Sequence, residues 1–132
     1  MVQTVIFKTG VGFGLTAVIL GAFAAHGLHD KLSPLLIEVW KTAVQYQFYH
    51  ALVLLVLGFT GNLNQGKWLG RAALFFIIGI ILFSGSLYAI ALASLIPANI
   101  SKIGVLTPLG GLFFIAGWIQ LLIAPIKSYA GN

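Results

Sequence analysis

Apolar residues fall into four uncharged runs, 9–25, 42–60, 72–96 and 104–126, and the charged residues are confined to the stretches between and flanking them. About 20 apolar residues in a helix cross a hydrocarbon core of ~30 Å. None of the runs alternates with a period of two, which argues against the strands of a membrane barrel. The pattern predicts an all-α protein, an integral membrane four-transmembrane-helix bundle forming a single domain over 1–132. Its spans are expected near 9–27, 36–60, 72–96 and 106–126.

Helix signals refine these limits. Ser33 suits an N-cap and Pro34 a first helical position, so the second helix is expected to begin near 34, ahead of its apolar part. Leu36, Ile37 and Trp40 would then lie at the headgroup layer, with Trp40 as an interfacial anchor and Glu38 and Lys41 facing water. Thr107 and Pro108 predict the cap and first residue of the fourth helix, leaving 97–107 as an irregular connection; a kinked helix starting near 101 is the competing reading. At 8–24, a lysine, an apolar run and "AFA" imitate a secretion signal. The apolar part is long for a signal and three more spans follow, so the first helix is expected to be retained.

Small residues recur along it. Gly10, Gly14, Ala17, Gly21 and Ala25 are three or four apart, and Gly79, Gly85, Gly110, Gly111 and Gly117 suggest the same in the third and fourth helices. Such ridges let neighbouring backbones approach closely in lipid. They serve packing inside the bundle, or docking of a second copy or of a larger membrane complex.

Composition agrees with a lipid bilayer as the surroundings. The 132 residues are 60% apolar and only 7% charged, with a mean hydropathy of +1.06; soluble domains carry about 25% charged residues. The net charge of +5 is spread singly over Lys8, Lys31, Lys41, Lys67, Arg71, Lys102 and Lys127, with no basic stripe, so nucleic acid is not a partner. Lys8, Lys67, Arg71 and Lys127 share one side of the membrane, against Lys31, Lys41 and Lys102 on the other, which places both termini in the cytoplasm. Cysteine is absent, which removes disulfides and thiolate sites.

Polar groups at membrane depth are the candidate chemistry. His50 lies roughly 12 Å past the outer entry at 1.5 Å per residue, and Tyr88 on the returning third helix is at similar depth. With His26, Gln47, Ser84 and Ser86 they form a candidate ligand-binding cluster in the outer half of the bundle; mutual hydrogen bonding across helices is the alternative. His26, His29 and Asp30 have donor types that suit a metal, although Gly27 should end the helix between them. No cofactor is identifiable. Asp30 and Glu38 are the sole acids, so paired-carboxylate and Ser-His-Asp catalysis are disfavoured, and a membrane enzyme built on His26 or His50 is the least favoured function.

Four motifs occur in order: "GAFAAHGL" (21–28), "WKTA" with "YQ" and "HAL" (40–52), "LFSGSLY" (82–88) and "TPLGGLFFIAGW" (107–118). On these the chain resembles, over nearly its whole length, the small bacterial membrane proteins of domain-of-unknown-function family 423, or UPF0382, whose animal relative is transmembrane protein 256. Ala24 stands where the family pattern has a glycine. The resemblance implies a four-helix protein of the bacterial cell (inner) membrane and names no activity. Its motif positions include His26, Trp40, Gln47, His50, Ser84, Ser86, Tyr88, Thr107, Pro108, Gly110 and Gly111. The function expected is a binding module for a small ligand, ion or lipid; the alternative is an accessory subunit packed against a larger membrane complex.

The charge distribution makes one prediction. In intact cells an impermeant thiol reagent should label Asn99→Cys and spare Gln65→Cys; labelling of the latter would reverse the orientation.

Overall fold

The computed structural model describes residues 2–60, 66–96 and 102–124. Residues 97–101 of the expected irregular connection, and Lys127 of the cation count, lie outside them. The described chain contains no strand. Four helices are long and apolar enough to cross a membrane: α1 (Val2–Leu28), α2 (Pro34–Phe59), α3 (Lys67–Ala93) and α4 (Ile103–Leu122). α1 packs along α2 and α3 along α4, and α2 joins the two pairs through α3. Among the described residues α1 and α4 do not approach each other.

Two apolar cores fill the bundle. One, nearer the chain termini, gathers Ile6, Leu54, Leu57, Phe76, Ile80 and Phe114; the other gathers Ala24, Leu28, Leu32, Ile37, Trp40 and Ala91 at the far end. Lipid is as apolar as leucine, so burial from water does not drive these contacts; close packing does. The glycines show where. A β-carbon on Gly58 would stand 2.6 Å from the Phe7 amide nitrogen, and one on Gly10 would stand 2.9 Å from that of Leu55, so α1 and α2 nearly touch at this end. Farther along, the same test gives 3.5 Å between Gly21 and Val44, ordinary contact. Between α3 and α4, Gly110 lies against the Phe83 backbone, while Gly79 receives the Phe114 ring and Gly117 the Phe76 ring.

The ridge on α1 continues through Ala24, which is buried, and not Ala25, which is exposed. Alternating steps of four and three keep to one stripe of a 3.6-residue helix; two steps of four in succession drift off it. Gly85 likewise faces open space.

Ser33 caps α2, its hydroxyl accepting from the Leu36 amide at 3.4 Å, and Pro34 is the first helical residue. α4 differs from expectation. Its α-helical part begins at Leu106, continuing a 3₁₀ turn at Ile103–Val105, so Thr107 lies inside the helix and Pro108 in its first turn, where a missing N–H leaves no bond unmade. α1 also runs past Gly27, ending in a π-helical turn at Ala24–Leu28; a second π turn, Ile80–Ser84, interrupts α3. Trp40 is no interfacial anchor. It is 2% exposed, its indole Nε1 donates to the Leu20 carbonyl at 2.9 Å, and its ring packs on Phe23 and Tyr88.

The packing predicts opposite fates for two glycines. Gly110→Ala should destabilise the bundle by about 1–3 kcal/mol, because backbone cannot move aside as a rotamer can, while Gly85→Ala should be neutral or slightly stabilising; unfolding in mixed micelles measures both.

Candidate functional site

Between the two apolar cores lies a layer of polar side chains. Gln47 is its hub. From α2 its amide nitrogen donates to the Phe13 carbonyl at 2.9 Å and to the Thr16 hydroxyl at 2.8 Å, both on α1. Its amide oxygen accepts from the Tyr88 hydroxyl of α3 at 3.0 Å. One buried side chain thus ties three helices and has each polar atom partnered, as a group removed from water must.

His50, one turn along α2, points elsewhere. Positions three apart on a helix diverge by about 60° around the axis, and here that separates Gln47, aimed at α1 and α3, from His50, aimed at α4. His50 Nδ1 lies 2.8 Å from the Tyr46 carbonyl oxygen and therefore carries the hydrogen. Nε2 is left to accept from the Trp118 indole at 3.4 Å. The imidazole stacks on Phe114 with ring centroids 3.7 Å apart and planes 4° from parallel. α2 and α4 have no backbone contact, so these rings bridge them.

Ser86 forms a third set, donating to the Phe83 carbonyl at 2.9 Å and sharing a 2.7 Å hydrogen bond with Thr107 of α4. Thr107 thus links helices instead of capping one. Ser84, at the end of the π turn, is fully buried and its hydroxyl has no hydrogen-bond partner among the described residues. The expected cluster is therefore resolved into three separate hydrogen-bonded sets with Ser84 apart. His26 joins none of them: it lies in the π turn at the end of α1 with its side chain exposed. His29 Nδ1 and Asp30 Oδ1 pair at 3.0 Å on the exposed turn after α1, and no group of three metal-ligating side chains forms among the described residues.

A feature that sequence reasoning missed lies on another face. α1 and α2 touch at the Gly10–Gly58 end and part toward the other, leaving an open cleft of ≈ 1280 Å³. Ala17, Gly21, Ala22 and Val44 form its apolar body, and His29, Glu38 and Lys41 lie at its mouth. Of the expected site residues only His29 lines it. The signal was present in Ala22 and Ala25, small residues just off the packing ridge, which leave a hollow where larger side chains would fill it.

Four apolar helices with a hydrogen-bonded polar layer between two apolar cores define a multi-pass membrane protein. The chain matches the family described as "Protein of unknown function (DUF423)" over residues 20–111. It is 46% identical to a UPF0382 membrane protein of Staphylococcus epidermidis over 122 residues, 89% of this chain and 90% of that one. It is 43% identical to the UPF0382 membrane protein YwdK of Bacillus subtilis over 120 residues, 86% and 89% of the two chains. No solved structure gives a significant match. The chain belongs to the DUF423 family, and is a bacterial multi-pass membrane protein.

The polar layer yields a prediction. Interhelical hydrogen bonds in membranes average ~0.6 kcal/mol and reach ~1.7 kcal/mol, so Tyr88→Phe should cost about 0.6 kcal/mol. Gln47→Leu should cost more, since it removes three bonds. A double-mutant cycle on the pair should return a coupling in the same range; zero coupling would mean that the Gln47–Tyr88 bond does not form in the bilayer.

Proposed function

We propose that the chain is a membrane-embedded binding module whose ligand is a lipid-class amphiphile, with its tail in the α1–α2 cleft and its polar end at Lys41, Glu38 and His29. The observation that carries this reading is the form of the cleft: apolar body, charged mouth, and one open side. Its volume of ≈ 1280 Å³ exceeds the ~300–1,000 Å³ typical of small-ligand pockets, which suits a long flexible chain better than a compact metabolite. From Lys41 to Tyr49 the lining of α2 descends roughly 12 Å at 1.5 Å per residue. One leaflet contributes about half of a ~30 Å hydrocarbon core, so the cleft has the depth of a single acyl layer. With both termini in the cytoplasm, it opens to the outer leaflet of the cell membrane.

The polar layer then has a supporting part. Gln47 and Trp40 each bond α1 across the interface, at Phe13, Thr16 and Leu20, and so fix the separation of the two helices that wall the cleft. An accessory role in a larger complex would call for small-residue ridges left free. Gly10, Gly58, Gly79, Gly110 and Gly117 are occupied within the bundle, and the glycines facing open space (Gly12, Gly70, Gly85, Gly104) are scattered over three helices.

Native mass spectrometry from mild detergent tests the reading. The wild-type chain should carry one lipid, and Ala22→Trp, which fills the cleft from an exposed position, should lose it while remaining folded and monodisperse. Retention of lipid at wild-type stoichiometry by Ala22→Trp, or a stoichiometric second protein in place of lipid, would overturn it.

A further inference from the structure

The mouth of the cleft carries more information than its body. Glu38 and Lys41, one turn apart on α2, both line it, and Lys41 Nζ lies 2.7 Å from Glu38 Oε1. Both side chains are largely exposed, so the pair is held weakly and its members are free to exchange partners. The other titratable lining groups are Tyr49, deeper in the cleft, and His29 on the turn after α1, already paired with Asp30. Below them Gln45 donates to the Tyr49 hydroxyl at 2.6 Å, closing the polar zone. The mouth therefore presents one positive and one negative group side by side.

That balance discriminates between headgroups. An anionic phosphodiester alone would meet Lys41 but also the Glu38 carboxylate, a like charge at close range. A headgroup bearing a phosphate and a primary ammonium meets both groups with opposite sign: the phosphate replaces Glu38 at Lys41, and the ammonium replaces Lys41 at Glu38. Each internal partner is exchanged for an external one of the same charge, so neither is left unpaired at the membrane surface. We infer that the cleft selects a zwitterionic phospholipid with a primary amine over an anionic one, an inference that rests on the cleft being a lipid site.

The test uses the full chain, delipidated and offered equimolar phosphatidylethanolamine and phosphatidylglycerol with identical acyl chains, with bound lipid read by native mass spectrometry. The expected preference for phosphatidylethanolamine is about two- to fivefold, the scale of an exposed charge pair. Glu38→Gln should abolish or invert it by leaving Lys41 alone at the mouth, and Lys41→Gln should weaken binding of both lipids. Both residues are exposed, so neither change should disturb the fold. Stoichiometric binding without preference, unchanged in Glu38→Gln, would overturn the headgroup inference and leave the cleft reading standing. Absence of any bound lipid, or a second copy of the chain in its place, would overturn both.

Discussion

A polar group inside hydrocarbon finds no water, so its hydrogen bonds must come from the protein. Gln47 meets that requirement in the way that most constrains this bundle: two donors to α1 and one acceptor for α3, all from a single side chain of α2. Each bond is individually weak in a membrane. Together they fix the rotation of three helices, because a turn of any one would leave buried polar atoms without partners. The glycine contacts set how close the helices come; Gln47 sets which faces meet.

The two halves of the bundle are held by different means. α1 and α2 meet backbone to backbone at Gly10 and Gly58, then part, with Trp40 and Gln47 spanning the wider end. α3 and α4 mesh by rings in notches, Phe114 at Gly79 and Phe76 at Gly117, a fit repeated along the pair. α2 reaches α4 largely through aromatic rings among the described residues, with His50 lying flat on Phe114 and accepting from Trp118. A cleft therefore opens between α1 and α2, the pair joined tightly at one end only, and its mouth falls where the charged residues of the α1–α2 turn and of α2 begin.

Much of this was legible in the sequence. Four helices followed from the uncharged runs, and the start of α2 followed from Ser33 and Pro34, because capping is a local matter. Depth along each helix was also readable, which is why Gln47 and Tyr88 were expected near one another. Direction around the helix was not. His50 is turned some 60° from Gln47 toward α4, and Trp40 points inward, since facing depends on the phase of neighbours and not on the residue's own chemistry. The cleft was invisible for a related reason: it is made by what α1 lacks beside Ala22 and Ala25, and an absence has meaning only once α2 is in place.

The π turn at Ile80–Ser84 fits one more residue into a turn than an α-helix holds. Its first flank offers Phe76 and Gly79 to α4, and its second offers Ser86 to α4 and Tyr88 to Gln47. The two flanks are out of step by about one residue's rotation, some 100°. Winding the same five residues as ordinary α-helix would swing Ser86 and Tyr88 away from their partners, whereas deleting one residue between 80 and 84 would let the turn close as α-helix with both flanks still in phase. In this bundle the count of residues in α3 is itself a structural quantity: one residue fewer is absorbed at the π turn, whereas one more would pass every compositional test for a membrane helix yet turn one flank of α3 some 100° out of step with the other.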